Sequence, residues 1–387
     1  VQLYLVVFLA SAAAVAVATP LVRRLAVRIG AVDQPSDRKV HPRPTPTGGG
    51  IAILAGTLAG LAVAYAIPQF RPLFRESSEL QGTLIAVVVV TIVGLVDDLR
   101  TLSPPAKIAG QILAAGVLVL NGVQLLFFWF PSQGVISLGP DLSVPLTILW
   151  VLILVNAVNL IDGLDGLAAG IVVVAAGAFF VWVYASPPTF PSLQGPEISS
   201  AALISAVAAG AALGFLPYNF HPARIFMGDA GSMLLGMLLA AATVAGVGRT
   251  VKASGGDIAA FSIPVLLPVF VVAVPLLDVA LAVIRRLLRG RPVFAPDKEH
   301  IHHQLQEIGH THRRTVLILY LWAVLLAGAG LAVSFINGRL LVGLIGGTAL
   351  LVIALTYLPN RLRLGRSKHR ARHLRSVSDS DTESRSA

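Results

Sequence analysis

The chain has no cysteine among its 387 residues. That absence excludes a disulfide framework and a thiolate metal site together. Charge is scarce as well: Asp, Glu, Lys and Arg make up 12% of the chain, where a soluble globular domain carries about 25%. With 56% hydrophobic residues and a mean hydropathy of +0.81, an ordinary water-soluble domain is excluded. So is disorder over most of the length, because disordered segments are poor in apolar residues. No internal repeat is visible, which argues against a transporter built from inverted repeats.

What is present is a series of apolar blocks near 20 residues long, the length that crosses a hydrocarbon core about 30 Å thick. Eleven can be read, at 3–22, 48–68, 80–96, 108–128, 144–160, 167–186, 200–217, 228–248, 260–282, 315–336 and 339–358. Lipid offers the backbone no hydrogen-bond partner, and the blocks are too long for barrel strands, so helices are the natural reading. The expected fold is an all-α polytopic membrane protein with about eleven transmembrane helices. Nothing charged precedes Leu3 while Arg23, Arg24 and Arg28 follow the first block, so that block reads as an anchor rather than a cleaved signal.

The loops sort by charge. The side reached after the first block carries 24 of the 29 Lys and Arg, and the opposite side only Arg71, Arg75, Arg249, Lys252 and Arg339. Positive loops stay in the cytoplasm, so the N-terminus is expected outside and the C-terminus inside. The net charge of +10 is therefore read as orientation, and no nucleic-acid partner is expected. All nine histidines fall on the same side, at His41, His221, His300, His302, His303, His310, His312, His369 and His373. A membrane protein without a one-sided task has no reason to segregate them, so one functional face at the cytoplasmic boundary is inferred. Residues 1–358 read as a single transmembrane catalytic domain. Residues 359–387 read as a basic, solvated tail, with adhesion to anionic headgroups as the alternative.

Five clusters on that face carry chemistry. The first is the loop RKVHPRPTPTGGG, where prolines forbid a helix and Gly48, Gly49 and Gly50 precede the second block. Backbone N–H groups there are expected to approach an anion, with Lys39 and His41 beside them. The second is the pair Asp97–Asp98 at the end of the third block. Two carboxylates beside a membrane core are costly unless a cation sits near. Lys107, ten residues on, is expected to meet a phosphate or pair with Asp98. The third is NAVNLIDGLDGL, in which Asn156, Asn159, Asp162 and Asp165 recur every three residues. On a helix that spacing makes a slowly drifting stripe of oxygen-bearing side chains, of the kind that suits Mg²⁺; Gly163 and Gly166 are expected to loosen it into a turn. The fourth is YNFHPARIFMGDAGS, with Asp229 at the mouth of the eighth block and Phe226 three residues earlier, either a stacking platform or a membrane-edge aromatic. The fifth is HIHH, His300 to His303. Zinc is its rival reading, but the cluster has neither cysteine nor an HExxH frame, and donors to a phosphate fit better.

Carboxylates, amides, histidines and basic groups at a membrane face are the inventory for Mg²⁺-assisted phosphoryl transfer. A soluble phosphorylated donor would come from the cytoplasm and a lipid acceptor from the bilayer. The non-enzyme alternative, a transporter of a phosphorylated metabolite, would place its charges near the bilayer midplane rather than at one end.

With these motifs in this order, RKVHPRPTPTGGG, Asp97–Asp98, NAVNLIDGLDGL, IFMGDAGS and HIHH, the chain resembles the polyprenyl-phosphate N-acetylhexosamine-1-phosphate transferase superfamily over nearly all but its tail. The resemblance implies transfer of a sugar 1-phosphate from a UDP-sugar to undecaprenyl or decaprenyl phosphate with release of UMP, the first membrane step in cell-wall, teichoic-acid or O-antigen glycan assembly. It implies a multi-pass protein of a bacterial plasma membrane, with Mg²⁺ as cofactor (Mn²⁺ as a substitute) and dimers as a plausible assembly. HIHHQL differs from the HHHFE that typifies the branch using UDP-MurNAc-pentapeptide. It points instead to the branch whose donor is UDP-GlcNAc, leaving the phospho-MurNAc-pentapeptide transferases as the enzymatic alternative. One departure is Asp278–Val279, where Asp-Thr is expected.

Position by position, the resemblance makes Asp229 the Mg²⁺ ligand and Asp97 and Asp98 the essential acidic pair. Asn159, Asp162 and Asp165, with Asn156 in the same motif, fall in the nucleotide and diphosphate region. Asn219 and Phe226 match positions that hold the uracil. His300, His302 and His303 match the loop near the donor sugar or diphosphate, and Lys39 is the chosen basic group of the first loop.

Overall fold

The computed structural model describes residues 1–35, 44–130, 134–185, 198–247, 310–335 and 346–351, with Leu288, Gly290 and Ile353. Among these, the chain is mostly helical. The order is α1 (Gln2–Ile29), a two-residue ladder of β1 (Val32–Asp33) with β2 (Thr45–Pro46), α2 (Gly49–Ala66), short α3 (Arg71–Arg75), α4 (Glu79–Arg100) and α5 (Pro104–Leu120). A hairpin of β3 (Phe127–Phe130) and β4 (Gly134–Ser137) follows, then α6 (Pro140–Ile161), α7 (Leu167–Ala185), α8 (Ser200–Asn219), α9 (Gly228–Val247) and α10 (His312–Phe335). Eight of the described helices are long and apolar enough to cross a membrane; α5, at 17 residues, is apolar but shorter. Nine expected spans coincide with described helices. The ninth expected span (260–282) lies outside the described residues, and the eleventh is seen only at 346–351 and Ile353, all helical.

Two boundaries differ from the sequence reading. Helix α1 runs on to Ile29 because Arg23, Arg24 and Arg28 do not interrupt it; long basic side chains reach out of a helix end into the interface. It stops at Gly30, whose φ of 75° is left-handed, a C-terminal signal that glycine adopts without strain. The fourth expected span ends early, at Leu120. Asn121 and Gly122 (φ 81°) turn the chain there, and the aromatic run that follows pairs as β3 with β4, Phe127 opposite Ser137. The two small antiparallel ladders are additions to the all-helical expectation.

Helices α8 and α9 form the centre and are apolar and buried on nearly every side, whereas α1 is largely exposed, presenting Leu5, Val6, Leu9, Val17, Leu21 and Leu25 outward. Small residues set the close approaches, as expected where hydrophobic driving force between helices is weak. Helix α1 packs on α2 and α8, where Ser11 Oγ donates to the carbonyls of Gly56 (3.0 Å) and Val207 (3.2 Å). Helix α4 lies on α9 with Gly94 against the Ala230 backbone, too close to admit a Cβ. The C-terminal ends of α4 and α6 and the N-terminal ends of α2, α5 and α9 meet at one end of the bundle, and that end holds the site.

Candidate active site

Three described motif residues converge on one ammonium group. Lys107, from the first turns of α5, places Nζ 2.5 Å from Asp229 Oδ2, 2.9 Å from Asp97 Oδ2 and 3.2 Å from Asn159 Oδ1. Asn159, near the end of α6, donates Nδ2 to Asp229 Oδ1 (2.6 Å) and to Ser232 Oγ (2.8 Å). Helices α4, α5, α6 and α9 thus each contribute one group to a single polar knot. The Lys107 side chain is 17% exposed and that of Asp97 10%. Withdrawing one partner from a pair this sheltered typically costs up to ~3–5 kcal/mol, because the other charge is left stranded.

The adjacent acids do different work. Asp97 Oδ1 accepts the Leu102 N–H at 2.6 Å and so ties the α4–α5 turn. Asp98 turns the other way and accepts the N–H groups of Asp229 (2.8 Å) and Ala230 (3.3 Å). It caps α9 from a different helix, where a negative charge is favoured by the helix dipole. Gly228, at φ 70°, is required there twice over: the backbone is left-handed, and a side chain would collide with the Asp98 carboxylate. The expected pairing of Lys107 with Asp98 is therefore corrected to Asp97 and Asp229.

The third motif behaves as a helix that unwinds. Helix α6 ends at Ile161, Asp162 is its C-cap, and 162–166 form a turn. Burial first, then the charges of Asp229, Asp98 and Asp165, hold the Asp162 carboxyl well above the usual carboxylate range. Asp165 Oδ2 accepts from the Ala223 N–H (3.1 Å) and lies 2.7 Å from His221 Nδ1. Asn156 stands one turn deeper and is not joined to the knot. It pairs reciprocally with Gln111 of α5 (2.7 and 3.3 Å). Asn219 is buried and clamps two turns, accepting from Gly166 N–H (3.0 Å) and donating to the Ile225 carbonyl (3.2 Å). Phe226 is half-buried, three residues before Asp229.

The glycine expectation is overturned. The N–H groups of Gly49 and Gly50 donate to the carbonyls of Phe226 and Met227, both at 2.9 Å, so they are not offered to an anion. These glycines serve packing instead: a Cβ on Gly50 would lie 2.5 Å from the Gly231 nitrogen. Lys39, His300, His302, His303 and Asp278–Val279 lie outside the described residues. Groups that the sequence reading left without a role also gather here. Ser232 and Gln111 support the two asparagines. The Tyr320 hydroxyl donates to the Gly166 carbonyl at 2.5 Å. His221 adjoins Asp165, and Arg313 Nε donates to the His221 carbonyl at 2.8 Å. His221 is visible in the sequence only as one more histidine on the basic side; no spacing marks it.

Chemically, Asp97 and Asp229 share one ammonium, Asp98 adjoins Asp229 on the start of α9, and the donor set is hard oxygen without sulfur. That excess of negative charge fits a hard divalent cation of the Mg²⁺ class.

Residues 80–247 match the family model described as glycosyl transferase family 4. The chain is 44% identical over 327 residues to the decaprenyl-phosphate N-acetylglucosaminephosphotransferase of Mycobacterium leprae (strain TN), covering 83% of this chain and 81% of that one. It is 38% identical over 317 residues to a probable undecaprenyl-phosphate N-acetylglucosaminyl 1-phosphate transferase of Bacillus subtilis (strain 168), covering 82% and 81%. Against the phospho-N-acetylmuramoyl-pentapeptide-transferase of Desulforudis audaxviator (strain MP104C) it is 32% identical over 337 residues, covering 82% and 92%. With the described motif residues gathered at one end of an apolar helical bundle and likeness of this extent, the chain belongs to glycosyl transferase family 4, among the polyprenyl-phosphate N-acetylglucosamine-phosphate transferases.

Proposed function

We propose that this protein transfers GlcNAc-1-phosphate from UDP-GlcNAc to a polyprenyl phosphate, undecaprenyl or decaprenyl, and releases UMP. The observation that carries the reading is the knot of Lys107 with Asp97, Asp229 and Asn159 at one end of the apolar bundle. It sits where a water-borne donor and a bilayer-borne acceptor can both arrive, and the excess of Lys and Arg in the loops on that side supports a cytoplasmic location. Relatives at 38–44% identity are named for N-acetylglucosamine-phosphate transfer and support this donor over the MurNAc-pentapeptide, whose named relative is at 32%.

In the proposed step, an oxygen of the lipid phosphate attacks the β-phosphorus of UDP-GlcNAc. A new P–O bond forms, the bond from that phosphorus to the bridging oxygen breaks, and UMP leaves with the electron pair. A phosphate monoester has a second pKa of about 6 and is largely dianionic at neutral pH, so a strong base is hardly needed. The difficulty is to bring anions together, which calls for cations and positioned donors. Lys107 supplies one positive charge, held in place by Asp97 and Asn159. Asp97 assists acceptor deprotonation or holds a water, while Asp98 fixes the start of α9 so that Asp229 keeps its position. Asp229 would hold Mg²⁺, or Mn²⁺ on the same oxygens; when bound, the cation supplies charge neutralisation on the diphosphate. Asp162 and Asp165, on the turn beside Asp229, are placed for the nucleotide side of the donor, with Phe226 for its base.

The test is UMP release by the purified protein in detergent with Mg²⁺ and undecaprenyl phosphate, comparing UDP-GlcNAc with UDP-MurNAc-pentapeptide. UDP-GlcNAc alone is expected to turn over. Asp229→Asn and Lys107→Ala are each expected to lower kcat by about 10²–10³, the scale of losing one positioned electrostatic group. Turnover only with the pentapeptide would move the chain to the other branch. A phospho-aspartyl adduct trapped from UDP-GlcNAc in the absence of lipid would sink direct attack.

A further inference from the structure

Behind Asp165 lies a set of contacts that joins three separate pieces of chain. The Asp165 turn meets the 219–227 connection through His221 Nδ1 (2.7 Å) and the Ala223 N–H (3.1 Å), both on carboxylate oxygen Oδ2. The start of α10 meets the same connection: the His312 ring stacks on His221, centroids 4.2 Å apart with the planes at 22°. Arg313 Nε donates to the His221 carbonyl at 2.8 Å. Farther along α10, the Tyr320 hydroxyl donates to the Gly166 carbonyl at 2.5 Å, at the end of the Asp165 turn. A carboxylate oxygen accepts, so the 2.7 Å contact is satisfied with the ring proton on Nδ1.

Asp165, His221 and His312 offer ligand atoms within 4.8 Å of one another, and a transition-metal ion is the rival occupant. The ring geometry argues against it. An imidazole nitrogen binds an ion in its own plane at about 2.0–2.1 Å, and two rings stacked nearly parallel cannot both aim a lone pair at one point. Arg313 adds positive charge beside them. The arrangement instead has the form of a side chain oriented by its neighbours: two donors occupy Oδ2 and leave Oδ1 without a donor among the described residues.

We infer that His221 is a positioning residue of the proposed transfer: it fixes the Asp165 carboxylate, with Oδ1 presented to the donor nucleotide, and ties that turn to the start of α10. The inference rests on the transferase reading above. It goes beyond it by assigning a role to a histidine outside the motif acids and by naming donor binding as the step it serves.

The experiment is UMP-release kinetics on full-length protein, varying UDP-GlcNAc and polyprenyl phosphate separately, with thermal unfolding measured in parallel. His221→Phe is expected to raise KM for UDP-GlcNAc and to lower kcat/KM for it by about 10–100-fold, the scale for removing an orienting partner. KM for the lipid should stay unchanged. His221→Asn, whose amide N–H can reach the same oxygen, is expected to keep most of the wild-type kcat/KM. Because the two residues act as one unit, adding His221→Phe to Asp165→Asn should lower activity no further than Asp165→Asn alone. Should His221→Phe fail to fold, His221→Gln takes its place in the cycle. Multiplying losses in the double variant would overturn the inference. So would equal losses in the Asn and Phe variants that merely follow thermal stability, or stoichiometric Zn²⁺ in the wild-type protein that disappears with His221→Phe. An inactive wild type would overturn the transferase reading and this inference with it, whereas an active wild type with independent variants overturns the inference alone.

Discussion

Asp162 sits at the end of α6 in the field of three other carboxylates, and its proton is the most consequential one outside the helices. Its carboxyl is held well above the usual carboxylate range, by burial first and then by Asp229, Asp98 and Asp165. A native value above the unfolded one means the folded protein binds a proton that the unfolded chain would release. Stability from this group is therefore greatest below the ordinary Asp value of about 3.9. It falls as pH rises from there to the raised native value, by at most about 1.4 kcal/mol per pH unit. With chelator present, Asp162→Asn is expected to be less pH-sensitive than wild type and to gain on it through that window. Thermal unfolding in detergent across a pH series checks this, and a variant that loses ground to wild type as pH rises through that window would contradict it. The acids, Asn159 and Lys107 were legible in the sequence because a polar group in so apolar a chain needs a reason to be there. The partners were not. An amide reads the same whether it faces Asp229, as Asn159 does, or holds Gln111 or a buried turn, as Asn156 and Asn219 do.

At the scale of elements, the site is only as good as the contact between α4 and α9. Gly94 lets the two backbones touch, and the same approach brings Asp98 onto the N–H groups of Asp229 and Ala230. Gly94→Val is expected to force the helices apart. The overpacking alone is worth about 1–3 kcal/mol, and the lost cap adds about 1 kcal/mol. UMP release should fall with the melting temperature, and an active, fully stable Gly94→Val protein would show that this contact does not set the site. Helix positions were readable from the apolar blocks. Their ends were not always: Asn121–Gly122 ended α5 within what hydropathy alone reads as one block, and arginines at a membrane interface failed to end α1. The glycines before α2 were visible, but whether a glycine is there for an anion or for a neighbouring helix depends on the tertiary contact, here with Phe226, Met227 and Gly231.

For the molecule as a whole, orientation is the reading that most needs a measurement, and the absence of cysteine gives a clean background for it. A single cysteine replacing Arg100 is expected to react with a membrane-impermeant maleimide only from the cytoplasmic side. One replacing Gln69, between α2 and α4, should react only from outside, and labelling of both from one side would break the proposed topology. The bundle end that carries the site has a further property. Proteins commonly seat phosphates on loose backbone N–H groups, at glycine turns or helix beginnings. Here the glycine turn before α2 is bonded to α9's approach, and the start of α9 is already occupied by Asp98. An incoming diphosphate would meet the protein's own negative charge at that helix end. On the proposed function, its welcome would fall to positive charge, that of Lys107 and of the divalent cation proposed for Asp229. Donor affinity would then be an adjustable quantity, set by the free concentration of that ion in the surrounding fluid as much as by the fold.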